Sequence, residues 1–191
     1  MTAREEVRDR SIPGGFSLQV GHTADFTASV LAQARDLLDV VFAGDLTDHD
    51  WEHSLGGMHS IVWHNSSVVG HASVVQRRLV HGDQVLRTGY VEGVGVHPEW
   101  QRHGIGGQMM VALERIIEAA YDIGALGATD EAINLYEHRG WIRWLGPTSA
   151  LTPTGIVRTA DEDGCIYVFP VAHVLDVGGE LTCDWRDGDV W

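Results

Sequence analysis

The residues best suited to chemistry lie in one stretch, where an apolar segment runs into a glycine-rich turn. Residues 90–96 form a predicted β-strand, and after Pro98 the chain continues as Gln101-Arg102-His103-Gly104-Ile105-Gly106-Gly107. A loop of this kind, opening a helix, aims several backbone N–H groups at one point, and the helix dipole favours an anion there. Glycine lets the backbone approach a pyrophosphate closely. Residues 101–107 therefore fit a phosphate-binding loop, although a glycine-rich loop alone is a weak signal.

Two common nucleotide-binding loops do not fit this stretch. The loop lacks the Gly-Lys-Ser/Thr ending of a P-loop. The strand before it belongs to a predicted antiparallel meander deep in the chain, whereas a dinucleotide fold begins with a β–α–β unit.

The elements that position the loop are predicted from hydrophobic spacing and turn residues. They comprise a strand, a helix, a β-meander, a helix, a strand, a helix and a strand, which implies an α/β (α+β) fold with a central mixed, mostly antiparallel sheet flanked by helices. We expect residues 1–15 to be a flexible extension and residues 16–191 a single domain. The later predicted elements are a helix at 107–123, a strand at 126–128, a helix at 130–138 capped by Thr129 or Asp130, and one clear strand at 165–170.

Composition narrows the classes of partner. There are 27 acidic residues against 13 basic ones, all arginine, and the net charge is −14. Such a chain lacks the cationic contacts that nucleic acid and anionic membranes require, but its field would attract a cationic substrate. Acidity that only keeps a protein soluble is the alternative. No signal peptide or membrane span is predicted, and the two cysteines are expected to be reduced thiols, so we expect a cytoplasmic protein.

Glu92 is a candidate general base. It lies two residues before Val94 on the predicted strand, so the two side chains would share a face. A carboxylate there could accept a proton directly or through water, although a salt-bridged strand glutamate fits equally well. His97 is a weaker candidate, since a histidine beside a loop proline is commonly solvent-facing. The 11 histidines show no metal-ligand spacing, so no metal site is predicted.

At the glycine-rich stretch the chain resembles the GNAT acetyltransferases. Gln101-x-x-Gly104-x-Gly106 matches the motif with which that family holds the pyrophosphate of coenzyme A on backbone amides. The resemblance implies acetyl-CoA as cofactor, on a sheet splayed at its site. It implies contacts from Val94, Val96, Gln101, Arg102, His103, Gly104, Ile105, Gly106 and Gly107. The Val94 amide would polarise the thioester carbonyl.

A second match lies at Leu135-Tyr136-x-x-x-Gly140-Trp141. In the GNAT family the tyrosine of this motif commonly protonates the departing thiolate, so the resemblance implies that Tyr136 is the general acid. Outside such a motif, a tyrosine at a helix end is more commonly a core or surface residue.

Over nearly the whole chain from about residue 16, the sequence is similar to aminoglycoside 2′-N-acetyltransferases. The similar segments include Leu55-Gly56-Gly57-Met58-His59, Gly146-Pro147-Thr148-Ser149 and the final Asp184-Trp185-Arg186-Asp187-Gly188-Asp189-Val190-Trp191. The resemblance implies a pocket for a polycationic aminosugar, with Glu92 as a water-assisted base. It places Asp45, Asp50, Glu92, Gly93, Glu162, Asp189 and the Trp191 carboxylate at the substrate. Glu162 stands where the family usually has Asp, and solvated loops are the alternative for each acidic cluster.

Three functions remain open at this stage. The resemblance favours direct acetyl transfer to the 2′-amine of an aminoglycoside, with a homodimer expected by analogy. The same cofactor loop would also serve an acetyltransferase of a peptide, polyamine or cell-wall aminosugar amine. A degenerate acyl-CoA-binding module is the third reading, and Glu92 and Tyr136 count against it.

Overall fold

A computed structural model of the chain describes residues 8–171 and 174–191. Its contacts divide it into two compact units, each assembled from two stretches of sequence. The first unit comprises Met1–Val75 and Glu92–Leu113, and the second Gln76–Val91 and Glu114–Trp191. Within the described part of the chain, no helix is long and apolar enough to cross a membrane.

Antiparallel strands form the sheet of the first unit. They are β1 (Arg8–Ile12), β2 (Phe16–His22), β3 (Met58–His64), β4 (Ser67–His81) and β5 (Gln84–Val96), paired in that order. Strands β4 and β5 continue into the second unit, because the boundaries fall after Val75 and Val91. Positive φ at Asn65 and Gly82 turns the chain between β3 and β4 and between β4 and β5. The predicted meander is present.

The expected N-terminal extension contains a strand. Residues 8–12 form β1, which pairs with β2 from Arg8↔Val20 to Ile12↔Phe16, and Gly14 and Gly15 turn the chain between them with φ of 94° and 81°. The glycines that suggested a flexible tail therefore belong to a hairpin. The rest of the expected extension, residues 1–7, lies outside the described residues.

Among the residues that the structure describes, three α-helices begin in the first unit: α1 (Ala28–Val41), α2 (Asp48–His53) and α3 (Ile105–Ala120). Thr27 and Thr47 cap α1 and α2 by accepting from backbone N–H groups, which supplies acceptors that a helix start lacks. The apolar face of α1 packs into a core with β3, β4 and α2. The buried residues of that core are Ala34, Leu37, Leu38, Trp51, Ile61 and Val68.

The described residues of the second unit add one α-helix and six strands. They are β6 (Ile123–Gly127), α4 (Ile133–Glu137), β7 (Ile142–Arg143), β8 (Thr148–Thr152), β9 (Gly155–Arg158), β10 (Ile166–Pro170) and β11 (Leu181–Asp184). Here β5 pairs with β6 in parallel, and β6, β10 and β7 follow in antiparallel order. Strand β11 pairs antiparallel with β4 and parallel with β8, which also pairs with β9. The predicted mixed sheet is confirmed by the parallel β5–β6 pair among antiparallel ones.

Four predictions for the second half of the chain are wrong in detail. The helix predicted at 107–123 begins at Ile105 and ends at Ala120, and the next strand starts at Ile123 rather than 126. The helix predicted at 130–138 is confined to α4, and its N-cap is Ala132, which has no side-chain acceptor. Strands β7, β8, β9 and β11 were not foreseen, because each has only two to five residues.

Candidate active site

The predicted phosphate-binding loop lies in the first unit, between the end of β5 and the start of α3. Arg102 and Gly104 have φ of 63° and 77°, and a Cβ on Gly104 would meet nothing within 4 Å. The first helical hydrogen bond runs from Gln108 N to Gly104 O at 3.1 Å. The amides before Gln108 at this helix start therefore have no intrahelical acceptor and can bind an anion.

Side chains around this loop hold its shape. Gln101 Nε2 donates to Val96 O at 3.3 Å, and a His103 ring nitrogen lies 2.9 Å from Gln101 O. Ile105 is buried, and a Cβ on Gly70 would come within 2.9 Å of its Cγ2 atom. The Gln101 side chain thus closes the loop onto β5, and Ile105 anchors the start of α3. The loop is open to solvent at its exposed residues, Gln101, Arg102, His103 and Gly104.

Strand β5 is irregular, but continuous, where the predicted base and oxyanion donor lie. Gly93, between Glu92 and Val94, has φ of 56°, a left-handed conformation that an extended strand does not contain. Glu92 and Val94 are both half-buried, and Glu92 O accepts from Ser73 Oγ at 3.4 Å. The expectation that the two side chains share a face assumed a regular strand, so Gly93 removes its basis.

The conformation of Gly93 yields a stability prediction. Replacing Gly93 with Ala would place Cβ 2.8 Å from Ser54 Oγ and 3.1 Å from Leu38 Cδ1, in addition to the left-handed strain. We expect the free energy of unfolding, measured by urea denaturation, to fall by about 2–4 kcal/mol. Gly82→Ala is the matched control, because Gly82 has φ of 61° with open space around it, and it should cost about 1 kcal/mol. Equal losses of unfolding free energy in the two variants would show that packing around Gly93 does not add to the cost of its replacement.

Tyr136, the predicted acid, lies in the second unit near the end of α4. Gly140, with φ of 88°, lets the chain fold back so that Trp141 N donates to Tyr136 O at 3.2 Å. Glu114 accepts from Trp141 Nε1 at 3.0 Å and from Arg139 Nε at 2.7 Å. These contacts fix the segment that carries Tyr136. Burial raises the pKa of Tyr136 to about 12, so its hydroxyl stays protonated at neutral pH.

The C-terminal tail brings three predicted substrate residues together in the second unit. Trp191 is 5 % exposed, its Nε1 donates to Thr159 Oγ1 at 2.8 Å, and its N donates to Asp189 Oδ1 at 3.1 Å. Burial, then the charges of Asp189 and Asp161, raise the pKa of Glu162. Repulsion between neighbouring carboxylates of this kind favours a cationic ligand. Arg186 Nη2 donates to the Trp191 backbone oxygen at 2.6 Å, so the buried C-terminal residue has a cationic partner.

In two acidic segments, residues 45–52 and 161–163, some carboxylates pair with an arginine or cap a helix, and the others are candidates for substrate binding. Asp163 accepts from Arg158, and that hydrogen bond is the largest of the effects that lower its pKa to about 2, whereas no cation in the described part of the chain pairs with Glu162. In the first unit Asp48 pairs with Arg35, and Asp45 is exposed. Asp50 has a structural role, since its Oδ2 accepts from Thr47 N at 2.9 Å in the capping box of α2.

His97, the alternative base, and the two cysteines were also considered in the sequence, and the structure shows the contacts of His97 and the state of both thiols. His97 is half-buried, and its Nδ1 accepts from Glu99 N at 3.4 Å, which is a turn-capping contact. Cys165 and Cys183 are free thiols, as expected.

Sequence reasoning missed two groups of residues that organise these segments. His59 and His71 form a buried pair beside the Gly93 carbonyl. The turn between β3 and β4 does not by itself reveal this pair, because a register shift between Val62 and Trp63 changes which residues face each other, so that position 59 lies opposite 73 and 61 opposite 71. Arg77 holds the C-terminal tail through hydrogen bonds to Asp184 and Val190. These partners lie at least 107 residues away from Arg77 in sequence, so no local pattern reveals the contacts.

Comparison with known proteins now identifies the fold. The profile of the acetyltransferase (GNAT) family matches residues 30–141, the stretch from α1 to Trp141 that contains β5, the loop and Tyr136. The chain belongs to the GNAT acetyltransferase family. Both the predicted fold and the predicted family are therefore confirmed, and members of this family take acetyl-CoA as their acetyl donor.

Relatives agree with this assignment. The chain is 46% identical, over 174 residues and 89% of each sequence, to a protein of Mycolicibacterium fortuitum named aminoglycoside 2′-N-acetyltransferase. The crystal structure of Escherichia coli ElaA superposes with a TM-score of 0.57 at 21% identity, covering 82% of this GNAT chain and 99% of that one. A GCN5-related N-acetyltransferase of Kribbella flavida gives 0.56 at 23% identity, over 72% of this chain and 36% of its own. These two structures bear on the fold alone.

Proposed function

We propose that this GNAT enzyme transfers the acetyl group of acetyl-CoA directly to the 2′-amine of an aminoglycoside. The single observation that carries the proposal is the 46% identity, over 89% of both sequences, with a protein named for that reaction. Identity at that level across nearly the whole length extends beyond the cofactor motif that all family members share.

The residues of the loop suit coenzyme A. Acetyl-CoA supplies an activated acetyl thioester and carries an anionic pyrophosphate. The start of α3 offers amides without intrahelical acceptors, and Gly104 leaves open space where another residue would carry Cβ. We propose that the amides of residues 102–107 bind the pyrophosphate and that Val94 and Val96 bind the pantetheine arm through their main chains.

For the chemistry, we propose that Glu92 accepts a proton from the amine and that the Val94 N–H donates to the thioester oxygen. The half-burial of Glu92 supports the first role, because it limits the solvation of the carboxylate while leaving part of it accessible. Tyr136 then gives its proton to the departing thiolate and regains a proton from solvent after coenzyme A leaves. Its raised pKa supports this role, since the hydroxyl keeps its proton throughout the neutral range.

For the substrate, we propose that carboxylates bind the ammonium groups of the aminosugar. Glu162 and Asp189 support this, since they lie close enough for the charge of one to raise the pKa of the other. Asp45, Asp50, Gly93 and Trp191 stay predictions drawn from the resemblance. A homodimer, a cytoplasmic location and the lack of a nucleic acid partner are further predictions.

The test is the rate of coenzyme A thiol release with acetyl-CoA and two sets of aminoglycosides. Tobramycin and gentamicin carry a 2′-amine, whereas kanamycin A and amikacin carry a 2′-hydroxyl and keep other amines. We expect turnover with the first set at least about 100-fold faster than with the second, because an amine absent from the reacting position cannot be compensated by binding. Comparable rates would overturn the 2′ assignment. No turnover with either set, alongside acetyl-CoA binding, would favour a peptide or cell-wall amine.

A further inference from the structure

Two histidines lie completely buried in the first unit, on strands β3 and β4. His59 Nδ1 and His71 Nε2 are 2.9 Å apart, and both residues are 0 % exposed. The second ring nitrogen of His71 lies 2.8 Å from Gly93 O, and that of His59 lies 2.8 Å from Thr23 Oγ1. A continuous chain of hydrogen bonds therefore runs from Thr23 through both rings to Gly93. Neither histidine has a role in the reaction proposed above.

The position of each proton in this series of hydrogen bonds follows from the acceptor at one end, the Gly93 carbonyl oxygen. A carbonyl oxygen only accepts, so His71 must carry its proton on Nδ1 to donate to Gly93 O. The His71 Nε2 is then an acceptor, and His59 must donate to it from Nδ1. The His59 Nε2 is left as an acceptor for the Thr23 hydroxyl, which itself accepts from Gly56 N at 2.8 Å. Both histidines are thus neutral Nδ1–H tautomers.

The surroundings of the pair hold it in this neutral state. Burial, then the charge of His71 and His22, lower the pKa of His59 to about 3, and burial lowers the pKa of His71 to about 4. The rings of Phe26 and Trp51 pack beside them, with centroids at 5.8 Å. Glu92 is the carboxylate nearest in sequence to Gly93, the residue that accepts from His71. A second proton on His71, at Nε2, would face the His59 Nδ1–H, and a second proton on His59, at Nε2, would remove the acceptor of the Thr23 hydroxyl, so this arrangement of donors and acceptors is the one that two neutral rings make.

These hydrogen bonds cannot relay a proton, because the series ends on the carbonyl oxygen of Gly93, which does not take up a proton. They can fix the orientation of the Gly93–Val94 peptide unit. The carbonyl of Gly93 and the N–H of Val94 belong to one planar trans peptide unit and point in opposite directions. A hydrogen bond that holds Gly93 O therefore also sets the direction of the Val94 N–H. The same bond polarises the amide and strengthens its N–H as a donor.

We propose that His71, held in register by His59, is a positioning residue that aims the Val94 N–H at the thioester oxygen during acyl transfer. This inference rests on the proposed role of Val94, and it assigns the histidines a purpose beyond packing. Positive φ at Gly93 makes the constraint necessary, because a glycine peptide at a strand irregularity has other orientations available to it.

The decisive variants are His71→Leu and His71→Asn. Leucine removes the donor to Gly93 O, whereas the asparagine amide occupies nearly the place of Nδ1 and can donate to the same oxygen. We expect His71→Leu to lower kcat about 10- to 100-fold, a large part of what losing an oxyanion donor costs, with the acetyl-CoA Kd changed less than about threefold. His71→Asn should recover kcat to within about threefold of the wild type. The amine assayed is the one that the wild type acetylates fastest.

A role in stability alone would lower the melting temperature of both variants and leave kcat per folded molecule equal. That outcome would overturn the proposal, as would equal kcat in the two variants. Two NMR measurements work without any turnover. Imidazole nitrogen shifts of the wild type at pH 7 should show Nδ1–H tautomers for His59 and His71. The Val94 amide resonance should move in His71→Leu and return in His71→Asn. An unmoved Val94 resonance would contradict the inference, even if the aminoglycoside assignment itself failed.

Discussion

Replacing Glu92 with Gln is expected to lower kcat at pH 7 by about 10²- to 10³-fold. Glutamine has nearly the same shape but cannot accept the proton that the ammonium must lose before attack. The substrate amine would then have to lose its proton to water, so the residual rate should rise steadily with pH. The acetyl-CoA Kd should stay the same, because the proposed cofactor contacts come from residues 94–107.

The split between kcat and KM separates catalysis from simple charge attraction. If Glu92 only attracted the cationic substrate, Glu92→Gln would raise KM and leave kcat unchanged. Glu118→Gln removes one carboxylate from the exposed face of α3 and is the matched control for overall charge. A kcat for Glu92→Gln within about threefold of that control would contradict the proposed base.

The second large effect is expected for Arg77→Met. The Arg77 side chain is 4 % exposed, its Nε donates to Asp184 Oδ1 at 2.8 Å, and its Nη2 donates to Val190 O at 2.8 Å. The guanidinium also lies 4.7 Å from the centroid of the Tyr90 ring. Methionine would fill the space but leave those acceptors without a donor, so the free energy of unfolding should fall by about 3 kcal/mol.

Arg87→Met is the matched control for this change. Arg87 also pairs with an aspartate, Asp122, but the side chain is 47 % exposed and the contact is 3.4 Å, so its loss should cost less than about 1 kcal/mol in urea denaturation. Arg77→Lys keeps the charge without the forked geometry, so its loss of unfolding free energy should lie between those of the two methionine variants. Because Arg77 holds the tail that carries Asp189 and Trp191, Arg77→Met should also raise the KM for the aminosugar. Equal stabilities of the two methionine variants would contradict the role of Arg77.

The sequence predicted those parts of the fold that local pattern determines. The amphipathic face of α1, the meander from β3 to β5 and the glycine loop all follow from spacing over a few residues. The short strands from β7 to β9 did not, since their few residues acquire strand geometry from pairing partners rather than from propensity. The hairpin of β1 was missed for a related reason, because Gly14 and Gly15 suit a flexible tail and a tight turn equally well.

In the candidate site, too, some features could be predicted from the sequence and others could not. Backbone groups such as the amides of the loop could be predicted, because glycine spacing specifies where the chain can approach an anion. Side-chain partners that lie far apart in sequence could not be predicted, and Arg77 with Asp184 and Glu114 with Arg139 are examples. Asp50 shows what the resemblance does not reveal. The resemblance implies that Asp50 binds substrate, which stays a prediction, and its hydrogen bonds show that it also caps α2.

The most direct test of the proposed function uses one pair of substrates and locates the acetyl group. Kanamycin B and kanamycin A share the same rings and differ at the 2′ position, where the first has an amine and the second a hydroxyl. With acetyl-CoA and the wild-type enzyme, we predict that two-dimensional NMR of the product places a single acetyl group on the 2′-nitrogen of kanamycin B, and that kanamycin A is recovered unchanged. An acetyl group on any other nitrogen of either compound would contradict the assignment.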